Sequence, residues 1–430
     1  MSKFEKIKRN DRTFSSLDVS KILFFIFLLY MDWYKEIWGD MRIILYGTVI
    51  ALTLSLLYPI KDDQQKQLEF DSITPCLAVF LVFGFYCLLS GIIVSIDKSL
   101  FFSSITSYFS FLIVLFDCCL ITKREGNWDW LLDDFIMVAV VCLVYTIFFG
   151  AQRRNGGAAM TTLSTSNNPH TLAFVFLMGL FGVIGRERTD FRSLGIGIII
   201  VLGLIYGILL TGSRKTLLST ILLLAVWIYG VINNQQVGFK QSRRGIMFSA
   251  IIAGMIIALW YYRHYYVGSD QYDRLLRLLT GGEDSANEAR VQMYQLAWNI
   301  WKEHPIFGVG FNQYKLFSWR GDYSHSTYAE VFSCTGLAGS AILLIPLLKL
   351  SFHNIKYIVL GHNNYRYFYT VCFAGILVEW FLGFSQIWIY GFTHELFFLC
   401  IFGVLEYWIG HENRIKPDEG EVITRWKYLR

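Results

Sequence analysis

His325 stands where a long polar stretch ends and apolar sequence resumes, in HSTYAEVFSCTGLAG (His325 to Gly339). An imidazole with an unperturbed pKa near 6.5 is mostly neutral at pH 7, so at a water-lipid boundary it can take a proton from a hydroxyl. It could equally cap a helix by bonding a backbone carbonyl. Four arginines could act with it: Arg153 and Arg154 in RRNGGAAMTTLSTSNNPH (Arg153 to His170), Arg214 beside Lys215 in LLTGSRKTLL, and Arg290 in EARVQMYQLAWNIW (Glu288 to Trp301). A guanidinium presents a planar fork of donors that meets phosphate oxygens two at a time, which suits it to grip a pyrophosphate. Any one of them could instead contact lipid headgroups or snorkel from a helix end. Arg214 and Arg290 fit that alternative less well: Arg214 sits between two apolar runs joined by almost nothing, and one face of the Arg290 helix is otherwise apolar (Ala297, Trp301) and should pack on the membrane domain.

The acidic residues divide in two. Asp322 and Glu330 flank the histidine and could orient its ring. Glu379, Glu395 and Glu406 fall inside apolar runs, where a charge costs roughly 2.5 to 3.5 kcal/mol even on the gentler scale; pairing between helices would account for them, and nothing in the sequence assigns them a role. Gly308 and Gly310, in HPIFGVGFNQY (His304 to Tyr314), permit a tight turn that returns the chain toward the membrane. With no Walker or Rossmann context, a phosphate cradle is the weaker reading of this GxG. Most of the eight cysteines lie in apolar runs without metal-ligand spacing, and adjacent Cys118-Cys119 is a poor disulfide candidate. No metal site is expected.

The elements that would position these groups are membrane helices. At 54% hydrophobic and 17% aromatic over 430 residues, the chain has more apolar surface than one soluble core needs. Windows of about 20 apolar residues, enough to cross roughly 30 Å of hydrocarbon as a helix, recur about twelve times. They lie near 19–38, 42–60, 74–95, 100–121, 130–150, 169–185, 193–211, 215–232, 245–263, 328–348, 367–388 and 392–410. The expected fold is therefore an all-α integral membrane protein.

Placing both termini in the cytoplasm puts Lys123-Arg124, Arg186 to Arg192 and Lys240 to Arg244 inside, as the positive-inside rule asks. Arg153-Arg154 and Arg214-Lys215 then fall outside, against the rule, so topology does not explain them. The basic start, MSKFEKIKRNDR, is not followed by a small-residue cleavage site, and the first span reads as an uncleaved anchor. The net charge of +5 largely reflects inside-facing loops, which leaves nucleic-acid binding without support.

Four regions follow. Residues 1–263 hold nine spans, 264–327 form one large external helical loop, 328–410 hold three spans, and 411–430 are a cytoplasmic tail. A loop of that length implies a folded cap. Its helices are expected over Asp270 to Thr280 and from Ser285, where Ser285 and Glu288 have the form of a capping box, to about His304, just before Pro305.

Taken in order, TGSRKT, then EAR with an aromatic helix, then P-I-F-G-V-G-x-N, then H-S-x-Y-x-E-V-x-x-x-T-G-L-A-G, the chain resembles the bacterial O-antigen polymerase and O-antigen ligase family from Arg214 to about Gly339. The resemblance implies a GT-C-like membrane glycosyltransferase with Arg214, Arg290 and His325 as catalytic residues. Arg153 to His170 looks like the family's N-terminal substrate loop, which makes Arg154, with Arg153, Lys215 and Glu330, a substrate-binding candidate. Two positions depart from the pattern: Ser326 follows the histidine where asparagine is usual, and Cys334 precedes Thr335-Gly336 where an acidic residue is usual.

The implied chemistry needs neither metal nor cofactor. Arginines hold the pyrophosphate of an undecaprenyl-pyrophosphate-linked glycan while the histidine activates an acceptor hydroxyl, with inversion at the anomeric carbon. The acceptor is a second lipid-linked repeat in a polymerase of O-antigen, capsule or exopolysaccharide, and lipid A core or a protein in a ligase. The compact loop, with no acceptor domain after the twelfth span, favours the polymerase. Membrane lipids, a chain-length regulator and a flippase are the other expected partners. The implied location is the bacterial inner membrane, with the active site on the external face. A lipid-linked glycan flippase is the competing class; against it stand the absence of inverted-repeat symmetry and the large one-sided loop.

Overall fold

The computed structural model describes residues 15–39, 41–57, 75–125, 127–155, 158–163, 168–186, 191–233, 285–360 and 366–390. The expected spans 245–263 and 392–410, the loop helix Asp270 to Thr280, Glu395, Glu406 and the tail from 411 lie outside these residues.

Long apolar runs become helices. Helix α1 (Ser16–Leu29) starts at a capping box, with Ser15 Oγ accepting from the Asp18 amide and Asp18 accepting from the Ser15 amide. It continues through a π-helical turn (Tyr30–Tyr34) and a short turn (Lys35–Trp38). Then follow α2 (Arg42–Leu57), α3 (Pro75–Val94), α4 (Lys98–Glu125) and α5 (Asp129–Phe149). After a two-stranded hairpin come α6 (Pro169–Gly185), α7 (Phe191–Thr211), α8 (Arg214–Asn233), α9 (Ser285–Glu303), α10 (Thr327–Leu360) and α11 (Arg366–Leu382).

Among the described residues, Leu77–Val94, Lys98–Glu125, Asp129–Phe149 and Thr327–Phe352 are long and apolar enough to cross a membrane. Shorter apolar helices cover Ile43–Leu57, Pro169–Gly185, Gly195–Thr211 and Tyr369–Leu382. Their outward faces keep large apolar side chains uncovered, among them Ile43 (89% exposed), Ile93 (81%), Phe148 and Ile199. Such a surface is at home in lipid and not in water.

Helix α6 is the centre of the bundle: nearly every residue from Leu172 to Gly185 is buried, and α5, α7, α8 and α11 pack on it. The fit depends on close backbone approach. A Cβ at Gly179 would lie 2.2 Å from Ala139 Cβ on α5.

The expectation of an all-α chain needs one local correction. Residues 151–162 form an antiparallel hairpin, β1 (Ala151–Asn155) and β2 (Ala158–Thr162), in the register Arg153↔Met160 and Arg154↔Ala159. Helical periodicity could not have disclosed it, since the segment is short and polar.

The return segment of the loop is held by a break in α10. At Gly336 (φ 64°, ψ −167°) the helix is interrupted, which frees backbone groups that a membrane interior will not tolerate unpaired. The segment 305–310 satisfies them from both sides. Val309 and Gly310 amides donate to the Ser333 and Cys334 carbonyls (3.1 and 2.9 Å), and the Leu337 and Ala338 amides donate to the Pro305 and Ile306 carbonyls (2.8 and 3.2 Å). No side chain fits between the two segments. A Cβ at Gly308 would be 2.4 Å from the Cys334 carbonyl carbon, and one at Gly336 would be 2.3 Å from the Ile306 carbonyl oxygen. Gly308 and Gly310 thus serve helix docking, and the Val309 and Gly310 amides are already engaged.

Candidate functional site

One end of the bundle collects the loop, the hairpin and three inter-helix turns. Gln313 of the loop bonds both backbone groups of Asp97, in the turn between α3 and α4. The turn after α11, Gly383 to Trp388, bonds both the first residues of α10 and the start of α8. At the opposite end Lys21 pairs with Glu125 (3.1 Å), Arg124 caps the Leu56 carbonyl, and Arg186 lies 3.1 and 3.2 Å from Asp129 and Asp133.

Three sequence elements meet at the loop end. The first is the α7–α8 turn, where Gly212 takes a left-handed conformation (φ 64°) and α8 begins at once with Arg214 and Lys215. Two cations in the first turn of a helix oppose its macrodipole. Local preference is broken here as it commonly is at functional sites, and a bound anion would relieve it. Lys215 Nζ donates to the Ser385 carbonyl (3.2 Å) and to Gln386 Oε1 (2.9 Å), which fixes it against the turn after α11.

The second element is α9. Its buried face, Met293, Ala297 and Ile300, packs with Tyr314 on α10. Arg290 lies one turn before Tyr294, whose hydroxyl donates to the Phe384 carbonyl. Burial holds the Tyr294 phenol above its usual pKa, so it stays a donor. Among the described residues no carboxylate pairs with Arg290.

The third is the bend that opens α10. His325 sits at φ 58°, a left-handed conformation uncommon for a side-chain-bearing residue but several-fold enriched in histidine. The bend is built around it. Ser324, fully buried, donates its amide to Glu330 Oε2 (2.9 Å) and its hydroxyl to the Ser326 carbonyl (2.9 Å). Ser326 and Thr327 bond the Gly383 and Gln386 carbonyls. The His325 ring meets Tyr323 edge-on at 4.6 Å. Burial first, and Arg290 second, hold its pKa below the usual imidazole value, with Asp322 acting in the opposite sense.

Arg214, Lys215, Arg290 and His325 therefore gather at one place. All four act electrostatically on His170, the second residue of α6. Glu379 is the carboxylate that acts on Lys215, and it is fully buried beneath the site. This gathering sets two arginines, a lysine and a histidine against one buried carboxylate, a composition that suits a phosphate-type anion.

The other candidates fall as follows. Arg153 and Arg154 lie on β1, at the same end, in a hairpin whose β2 packs on α6 and α7. Glu330 is buried behind the bend, bonded to the Ser324 amide and 3.9 Å from Cys334 Sγ. One oxygen thus holds the backbone that presents His325, and the Cys334 and Tyr390 side chains also contact the carboxyl. The sequence reading missed His170, which ended a motif without a role of its own, and the Ser385-Gln386 pair. A polar Ser-Gln interrupting the apolar run 367–388 was the available signal for the latter.

Residues 198–344 match the family model described as O-antigen ligase. That segment brackets the resemblance read from Arg214 to Gly339 and includes Arg214, Lys215, Arg290, His325 and Glu330, while His170 and the turn after α11 lie beyond it. The match supports activity of the O-antigen ligase and polymerase type, on a lipid-linked glycan and an acceptor, in a membrane enzyme. No curated protein matches the chain. Among solved structures, a chain from a study of the structural coordination of polymerization and crosslinking by a peptidoglycan synthase complex aligns over 82% of this chain and 100% of its own length. The identity is 14% and the TM-score 0.44, a likeness too slight to carry an argument.

Proposed function

We propose that the chain transfers a glycan from an undecaprenyl-pyrophosphate donor to a hydroxyl of a second lipid-linked glycan, as a polymerase of polysaccharide repeat units. Arg214, Arg290 and Lys215, with Arg153 and Arg154 from the hairpin, bind the pyrophosphate. His325 takes the acceptor proton as the hydroxyl oxygen attacks the anomeric carbon in line, and the lipid pyrophosphate leaves with its bonding electron pair. Configuration is inverted and no metal takes part. The observation that carries the reading is the convergence of two arginines, Lys215 and the histidine at one bundle end, within the family-matched segment.

The basic residues Lys21, Arg124 and Arg186 at the opposite end support an external position for the site. The four-region division read from the sequence, with twelve spans and internal termini, is kept within this proposal.

The reading is tested with purified protein in detergent, given donor, excess chelator and either a lipid-linked glycan or lipid A core as acceptor. Linked product from wild type and none from His325→Ala is the expected result. Product with the core acceptor alone makes the chain a ligase. Full activity in His325→Ala overturns the base assignment, and no product with either acceptor moves the chain to the flippase class, where translocation in proteoliposomes would depend on the same residues.

A further inference from the structure

His170 places a second imidazole beside these groups, and its hydrogen bonds state which of its nitrogens carries the proton. Asn168 caps α6 by accepting from the His170 amide (3.0 Å), with Pro169 in the first turn, so the ring stands at a fixed helix start. Its Nδ1 is 3.1 Å from Ser213 Oγ, which is 2.8 Å from Thr216 Oγ1. Ser213 and Thr216 are almost fully buried (2% and 1% exposed), so each hydroxyl hydrogen requires an acceptor.

This chain can be arranged in two ways, according to whether Nδ1 carries the proton. If Nδ1 donates to Ser213, then whichever of the two hydroxyls donates to the other, one hydroxyl hydrogen is left in the interior without an acceptor among the described residues. If Thr216 donates to Ser213 and Ser213 donates to Nδ1, every hydrogen is used. The second arrangement avoids the cost of a buried unmade bond. It leaves the ring proton on Nε2, which makes no hydrogen bond among the described residues. The surrounding charged groups are Lys215, Arg290, Arg214 and His325, from α8, α9 and the α10 bend. With its proton on Nε2 and Nδ1 occupied, this ring has no lone pair to offer as a base; it has one N–H to offer an anion.

We propose that His170 is a substrate-binding residue that donates its Nε2–H to a phosphate oxygen of the lipid pyrophosphate, with the tautomer set by Ser213 and Thr216. The inference rests on the reading of the cleft as a pyrophosphate site and adds to it a neutral donor that the family-matched segment does not contain. Arginine charge supplies attraction from a distance; a fixed N–H adds a direction, which helps distinguish a pyrophosphate from a diffuse anionic headgroup.

The test uses the full chain in detergent with undecaprenyl pyrophosphate, which bears no sugar and so reports binding without turnover, read by tryptophan fluorescence. His170→Asn, whose amide reaches only the Nδ1 position, should weaken binding on the order of tenfold to a hundredfold, as expected for a hydrogen bond to a charged group. His170→Gln, whose amide nitrogen reaches the Nε2 position, should stay within about threefold of wild type. Phosphatidylglycerol should bind the three proteins alike. In the transfer assay the donor KM should rise in His170→Asn with a smaller change in kcat, opposite to His325→Ala.

Wild-type binding by His170→Asn overturns the proposal, as does equal loss in the Asn and Gln variants at an unchanged melting temperature. A His170→Asn protein that binds normally but has lost kcat would make His170 a proton carrier and also refute it. The binding difference between Asn and Gln supports the proposal even where wild type transfers no glycan, so failure of the transferase reading is separately visible.

Discussion

Glu330 offers a quantitative test of how the histidine is presented. Its Oε2 accepts from the Ser324 amide at 2.9 Å, and Ser324 is fully buried. In Glu330→Ala that amide has no acceptor, and leaving a buried donor unpaired costs about 1 to 3 kcal/mol. The neighbouring His325 already holds a left-handed backbone (φ 58°), worth roughly 1 to 2 kcal/mol against relaxation to an ordinary conformation. The bend therefore has reason to open once its carboxylate is gone. At about 1.4 kcal/mol per factor of ten, the competent population should fall roughly fivefold to a hundredfold. Because the carboxylate is fully buried behind the bend and holds its backbone, the loss should appear in kcat, with donor KM changed less than about twofold. Glu330→Gln keeps an oxygen acceptor in place and should retain most of the rate. The assay is single-turnover transfer by purified protein, with thermal melting to show that the variants remain folded. A raised donor KM at normal kcat would return Glu330 to the substrate-contact role suggested by the sequence, and an unchanged rate would refute the dependence of the bend on this carboxylate.

Arg214→Lys should lose activity on the order of a hundredfold, close to Arg214→Ala, since lysine keeps the charge and lacks the two-pronged donor; near-normal product at equal protein level would reduce Arg214 to a snorkelling role. His325 is held below 6.5 by burial and Arg290, so its base form prevails at pH 7 and kcat/KM should fall only as pH drops below 6.5. In Arg290→Gln, loss of the nearby cation should move that acid limb to higher pH, and a limb that stays put or moves lower would contradict the assignment. Gly336→Ala places a Cβ 2.3 Å from the Ile306 carbonyl oxygen in a left-handed conformation, at a cost of at least about 1 to 2 kcal/mol. Hydrogen exchange at Leu337 and Ala338 should quicken as segment 305–310 loosens, and unchanged protection would mean the break is held by other contacts.

The class of fold was legible in the sequence because twenty-residue apolar runs admit few other solutions: lipid forces each run to satisfy its own backbone as a helix. The candidate residues were legible in types. Arg214 and Lys215 broke the charge rules of a short membrane turn, and His325 stood at the edge of an apolar run, so each declared itself locally. Helix α9 spans Ser285–Glu303, and its end just before Pro305 is the one that the proline signalled.

Contacts between residues far apart in the chain were not legible. The pairing of 305–310 with the break at Gly336 is made by backbone groups, which leave only glycines as a trace, and those glycines read equally well as a turn. Glu330 could be read from the sequence as orienting the histidine or as contacting substrate; only the tertiary structure turns its carboxylate onto the Ser324 amide. His170 and the Gly383 to Trp388 turn come beside Arg214 and Lys215 because α6 and α11 pack against α8 at the same bundle end. Local sequence sets which residues form a helix and which ends carry charge, whereas the side chains that share one cleft depend on helix packing across more than two hundred residues of chain, and no local pattern encodes that distance.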